Sequence, residues 1–249
     1  MSVRSDGRQS KDRVFRFQQF DVRHEQAAMK VGTDGVLLGA WAGQGNPRTI
    51  LDIGTGSGLI AMMLAQRFPE ARIDAVEIDR AAAEEARGNF QRNPWHDRLA
   101  VIEGDIRAIR LAEPYSLIVA NPPWYDTEMR SPVDARSQAR HSEHLPAEDL
   151  ITIALDHLAL KGRFAVILPV DKSERFIGLG RAAGLALVRK TQVRAKASLP
   201  VHRWLLEFAR EPIVPETIID DQLTIETEVR HVYTLDFQNL VRGFYLRFS

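Results

Sequence analysis

The chain has 249 residues, 45% of them apolar, with 33 lysines and arginines against 33 aspartates and glutamates and no cysteine. That length supports one large or two small domains with a core, while the missing cysteines exclude disulfides, thiolate metal sites and cysteine nucleophiles and fit a reducing compartment. A formal net charge of zero, taken as a total, argues against a nucleic-acid partner, which usually shows itself as a basic excess.

Residues 1–13 read as a mobile basic arm: Arg4, Arg8, Lys11 and Arg13, with Arg16 just beyond, face only Asp6 and Asp12. No apolar run follows to make a signal peptide, and the longest apolar stretch, 59–65, is far too short to span a bilayer. A cytoplasmic protein with no membrane partner is the expectation. Strand-like and helix-like segments then alternate. Strands are expected at 49–53, 72–76, 99–103, 116–120 and 164–168, with helices at 58–67, 80–92 and 147–160, the last behind a proline suited to a first turn. Asp171 and Glu174 have the spacing of a capping box for a helix running to about 183. Segments 185–193 and 203–209 read as two final, antiparallel strands, and 235–247 as a closing amphipathic helix. Such alternation predicts an α/β fold, a mostly parallel sheet covered on both faces.

Asp52-Ile-Gly54-Thr-Gly56-Ser-Gly58 sits between a predicted strand and a predicted helix, where α/β sheets bind nucleotides. The dinucleotide fingerprint fails because Leu59 stands at its third glycine position, and no lysine follows to make a phosphate-binding P-loop. Asp52 would repel a pyrophosphate but suits a cationic group such as an ammonium. A glycine loop alone can be only a tight turn; with its strand, helix and leading aspartate it signals a cofactor. Asp-x-Gly-x-Gly-x-Gly resembles the first motif of the S-adenosylmethionine-dependent methyltransferases. The resemblance implies a Rossmann-like fold, with a seven-stranded, mostly parallel sheet, one antiparallel strand and helices on both faces. It also implies that Glu77, after the second strand, holds the ribose hydroxyls and that Asp105, after the third, meets the adenine amino group. Each carboxylate alone reads first as a surface charge or a helix cap, as Asp79 does for the next helix; the ordered set points to the cofactor.

Asn121-Pro122-Pro123-Trp124 follows directly on an apolar strand. Read alone it is a turn with an aromatic wedge. Placed 67 residues after the first glycine of the loop, it resembles the tetrapeptide of the amino-methyltransferases. An exocyclic or amide nitrogen is a poor nucleophile because its lone pair is delocalised; the Asn121 side-chain oxygen and the Pro122 carbonyl can accept its two hydrogens and aim the lone pair at a methyl donor. Trp124 can stack on a planar substrate, where that family more often has tyrosine or phenylalanine.

The same tetrapeptide serves adenine N6, guanine N2 and glutamine amides. Only about forty residues separate Trp124 from the next strand, too few for a duplex-opening region, which favours an already unstacked base in an RNA loop. The stretch 175–206 has seven lysines and arginines and no carboxylate, whereas 211–229 has six carboxylates and no lysine or arginine. The basic stretch, with Arg189, Lys190, Arg194, Lys196 and Arg203, can track a phosphate backbone together with Arg13 and the loop residues Arg136 and Arg140. Each charge run can equally be a solvated face. The acidic run can cover a sheet edge or keep RNA off the wrong face.

The segment 17–41, with Lys30-Val31-Gly32-Thr33-Asp34-Gly35 at its centre, resembles the bacterial tRNA adenine-N6 methyltransferases that act on valine tRNA next to its anticodon. The likeness runs over about 14–209 and into the closing helix. It implies a methyltransferase domain over 14–210, an acidic segment and helix over 211–249 packed on the same domain, a tRNA substrate and S-adenosylmethionine as cofactor. Lys30, Thr33 and Asp34 then line its methionine end. Thr33 is also a plausible helix N-cap and Asp34 a first-turn acid. An rRNA guanine or a protein glutamine is the competing substrate, and a catalytically idle RNA-binding module is the reading of a different class, against which Asp52, Glu77, Asp105 and Asn121 all stand. The histidines, His141 and His144 included, show no ligand spacing, so no metal is expected. Nothing calls for an obligate protein partner.

Overall fold

The computed structural model describes residues 14–25, 31–111, 113–122, 145–211 and 217–248. A two-stranded hairpin, β1 (Val14–Arg16) and β2 (Asp21–Arg23), precedes helix α1 (Thr33–Trp41). The chain continues through β3 (Thr49–Ile53), α2 (Leu59–Arg67), β4 (Arg72–Glu77), α3 (Arg80–Gln91), β5 (Leu99–Glu103) and β6 (Tyr115–Ala120). After residue 144 come α4 (Ala147–His157), β7 (Leu158–Pro169), α5 (Val170–Ala182), β8 (Leu185–Arg194), β9 (Val201–Arg210), β10 (Ile219–Thr224) and α6 (Leu235–Val241).

Eight strands form one sheet in the order β10-β8-β9-β7-β6-β3-β4-β5. Every pairing is parallel except those of β9, which runs antiparallel to β7 and β8. The central strands read as unbroken apolar runs because both faces are covered. Alternation sends Ile50, Leu117, Ala165 and Leu205 to the face packed by α1, α2 and α6. Their neighbours Leu51, Ile118, Val166 and Leu206 go to the face packed by α4 and α5, as the two-residue strand period requires.

The α/β fold matches the expectation, with one strand more than the seven expected. The extra strand is β10, inside the acidic segment, which therefore covers a sheet edge. Its residues are exposed save Leu223 and the half-buried Thr224, so it lacks the apolar pattern that marks a strand. Cross-strand chemistry holds it instead: Lys190 pairs with Asp220 at 2.8 Å and Arg194 donates to Gln222 at 2.9 Å. Other differences are local. The expected capping box fails because β7 runs straight into α5, so Pro169 is the N-cap and Asp171 already lies in the first turn. Gly32, not Thr33, caps α1, and Thr33 is its first helical residue. The closing helix stops at Val241, with only a short 3-10 turn, Leu246–Phe248, beyond it. Asp79 does cap α3, accepting from the Ala82 N–H at 2.7 Å.

Candidate active site

The site lies at the carboxyl ends of β3, β6 and β7. The loop after β3 turns through three glycines with positive φ, 71° at Gly54, 56° at Gly56 and 85° at Gly58. Two of them face open space, with nothing within 4 Å of a Cβ built at Gly54 or Gly56. Gly58 differs: a Cβ there would stand 2.5 Å from the Phe90 ring, so close packing as well as backbone shape excludes a side chain.

Two carboxylates support the loop from beneath. Asp52 is fully buried; its Oδ2 accepts from the Thr55 hydroxyl at 2.6 Å, and its Oδ1 has no partner among the described residues. Burial pushes the Asp52 pKa up to about 7, against the lowering pull of Thr55. Glu77 accepts the Gly56 N–H at 2.8 Å through Oε2 and the Asp79 N–H at 2.9 Å through Oε1. Each oxygen keeps a second lone pair. Thus Glu77 ties the glycine loop to the end of β4.

In front of the loop is a cleft of about 470 Å³ lined by Gly32, Thr33, Asp34, Gly54, Gly56, Asn121, Pro122, Pro169, His202 and Arg203, among others. Asn121 directly follows β6 and lies against α1: a Cβ on Gly35 would come within 4.0 Å of its Nδ2. Across the cleft Arg203 Nε donates to Asp34 Oδ2 at 2.8 Å. His202 beside it is half-buried, and burial, then the Arg203 charge, lower its pKa. A hollow of about 540 Å³ elsewhere is lined by Pro114, Leu158, Leu160 and Arg210, among others, at the amino ends of β6 and β7. Parallel sheets bind ligands at the opposite end.

The structure thus brings Thr33, Asp34, Gly54, Gly56, Asn121 and Pro122 to one cleft, with Asp52, Gly58 and Glu77 behind its loop. Asp105 is not among the cleft-lining residues. Arg107 holds its carboxylate at 2.9 and 2.6 Å and lowers its pKa. Lys30, Pro123, Trp124, Arg13, Arg136 and Arg140 lie outside the described residues. Among those described, no three His, Asp or Glu side chains gather as a metal site, and no helix is long and apolar enough to cross a membrane.

The basic stretch is placed otherwise than a phosphate-tracking strip requires. Arg189 turns inward, its guanidinium 3.6 Å over the Trp41 ring and paired with Glu207 at 2.9 Å; the two side chains are 11% and 1% exposed. Lys190 is bound to Asp220 and lies over Trp204 at 4.7 Å. Lys196 donates to the Glu228 carbonyl at 3.1 Å, and Arg203 belongs to the cleft. Strand alternation and the β10 pairing decide these directions, neither of which a charge count contains. Pro169 and His202 went unnoticed in the sequence for the same reason: β9 starts at the cleft only because it pairs antiparallel with β7, Pro169 opposite Arg203.

A family model for the methyltransferase small domain matches residues 32–174. A relative from Flavobacterium psychrophilum is 43% identical over 94% of this chain and 100% of its own length. One from Phocaeicola vulgatus is 44% identical over 93% and 97%, and one from Pectobacterium carotovorum 41% over 99% and 96%. All three are named tRNA1(Val) (adenine(37)-N6)-methyltransferase. Among solved structures, a predicted O-methyltransferase from Agrobacterium tumefaciens superposes with a TM-score of 0.66 at 19% identity, over 85% of this chain and 96% of that one. A glycopeptide N-methyltransferase complexed with S-adenosyl-L-methionine gives 0.54 at 12%, over 74% and 97%; both show the fold alone. With that family match and with relatives of this identity along nearly their whole length, the chain belongs to the methyltransferase small domain family, together with the tRNA1(Val) (adenine(37)-N6)-methyltransferases.

Proposed function

We propose that this protein methylates N6 of an adenine in a tRNA, adenine 37 of a valine tRNA as in its relatives' names, with S-adenosylmethionine as methyl donor, in the cytoplasm. The observation that carries the reading is the meeting of Asn121 and Pro122 with the Gly54–Gly56 loop in one cleft. The residues present fit the cofactor on two counts. Open space stands over Gly54 and Gly56, and behind them lies the buried Asp52 carboxyl, whose Oδ1 has no partner among the described residues and whose ionised form a cationic ligand would favour. Bound there, S-adenosylmethionine supplies an electrophilic methyl on a positively charged sulfur.

The chain's own work is then positional. The Asn121 side-chain oxygen and the Pro122 carbonyl accept the two N–H hydrogens of the adenine amino group, which localises its lone pair and aims it into the cleft; such orientation contributes several kcal/mol to barrier lowering, on the order of 10² or more in rate. Trp124, two residues on, stacks on the base, a contact worth about 1–3 kcal/mol. Lys30, Thr33 and Asp34 serve the methionine end, and Glu77 offers its remaining lone pairs to the ribose. Asp105 serves the adenine of the cofactor only after Arg107 lets go. That exposed pair is worth about 1 kcal/mol or less, so release is cheap. With Arg189 and Lys190 committed to carboxylates, the RNA backbone contacts fall to Arg194 and Lys196, with Arg13, Arg136 and Arg140.

The test is incubation with labelled cofactor and tRNA from a strain lacking the enzyme, followed by nucleoside mass spectrometry. N6-methyladenosine in valine tRNA is expected. Label in protein or rRNA instead refutes the reading.

A further inference from the structure

We propose that Arg203 is a ligand-binding residue for the amino-acid end of the cofactor: its guanidinium takes the α-carboxylate while Asp34 takes the α-ammonium. This inference rests on the cofactor reading above and extends it to a residue that the basic stretch had suggested for RNA.

The geometry is that of a receptor for a zwitterion. Arg203 and Asp34 stand 169 positions apart in sequence and meet across the cleft at 2.8 Å, their side chains 32% and 33% exposed. Both line the cleft that holds Gly54, Gly56 and Asn121. A salt bridge inside a ligand cleft offers one charge of each sign at fixed spacing, as an α-amino acid does in reverse. Neither partner is saturated. Arg203 gives Nε to Asp34 and Nη1 to the His202 carbonyl at 2.9 Å; its Nη2 has no partner among the described residues, so two of five donors remain on that atom. Asp34 accepts through Oδ2, which leaves Oδ1.

The backbone holds the guanidinium in place. The bond from Nη1 to its own strand limits its rotation, and β9 is locked in register with β7, Arg203 opposite Pro169. The amino terminus of α1, at Gly32–Thr33–Asp34, lines the same wall, and its unpaired N–H groups add a second preference for an anion. A planar two-pronged cation suits a carboxylate better than a lysine does.

The test compares two ligands by isothermal titration calorimetry. S-adenosylhomocysteine carries the amino-acid end; 5′-methylthioadenosine lacks it but keeps the nucleoside. Arg203→Ala is expected to weaken S-adenosylhomocysteine about 10- to 100-fold, the loss typical of hydrogen bonds to a charged group, and to leave methylthioadenosine unchanged. That unchanged binding also shows the variant is folded. Arg203→Lys should recover only part of the loss, and Asp34→Asn should show the same selectivity. Equal weakening of both ligands, or of neither, overturns the proposal. So does a loss of tRNA binding with S-adenosylhomocysteine affinity intact, which would return Arg203 to a phosphate contact. Failure of the wild-type protein to bind either ligand refutes the cofactor reading itself.

Discussion

Replacing Asp52 with asparagine should stabilise the unliganded protein above neutral pH. The Asp52 carboxyl is fully buried, and burial raises its pKa from 3.8 to about 7. The folded protein therefore keeps this proton up to about pH 7, whereas the unfolded chain loses it near 3.8. Between those values the folded state binds more protons, so stability falls as pH rises, and the full cost is present above about pH 7. At about 1.4 kcal/mol per pH unit, the gap corresponds to about 4 kcal/mol, an upper bound for an idealised swap. Asparagine keeps the shape and can still accept from Thr55. Urea denaturation at pH 5 and pH 8 reads the effect. Asp52→Asn should exceed the parent by about 2 kcal/mol at pH 5 and by about 4 kcal/mol at pH 8, flattening the slope between. It should also bind S-adenosylmethionine more weakly, since a cation beside Asp52 favours its ionised form. In the parent that ionisation releases protons on binding near pH 6, measurable by calorimetry in buffers of different ionisation enthalpy. A variant less stable than the parent at pH 8, or one with an unchanged pH slope, would show that the carboxylate is not held at a cost.

Four further outcomes follow from the geometry. Asn121→Ala should lower kcat at least about 100-fold, the cost of misplaced reacting atoms, with cofactor affinity largely kept; a large loss of cofactor binding would contradict a contact to the acceptor. Arg189→Ala should cost about 3–5 kcal/mol of stability by leaving the Glu207 carboxylate buried without its ion-pair partner, with the Gly43 N–H still on it, whereas a surface phosphate contact would leave denaturation unchanged and alter only RNA affinity. Gly58→Ala should destabilise by about 1–3 kcal/mol from its backbone conformation alone, with Phe90 adding to that. Gly178→Ala, in the exposed part of α5 with open space around it, should be neutral or stabilising by up to about 1 kcal/mol.

What could be read along the chain was whatever depends on neighbours in sequence. The strand, the glycine loop and the helix from Thr49 to Arg67 are contiguous, and so is the strand with the Asn121 and Pro122 that follow it. Their residue types state their chemistry: positive φ for the glycines, paired acceptors after a buried strand, an aspartate unsuited to phosphate. The alternation of elements sufficed for the sheet and its two covered faces. It did not suffice for β10, whose four exposed leading residues carry no apolar period.

Only the tertiary structure decided where long side chains point and what they meet. Glu77 supports the loop through Gly56, 21 residues away, and Asp34 finds Arg203 because β9 pairs antiparallel beside β7. The balance of 33 cations and 33 anions is resolved the same way. Asp220 takes Lys190, Glu207 takes Arg189, and Asp34 takes Arg203. A sequence records how many charges of each sign there are; strand register determines which of them face each other, and so which remain for a ligand.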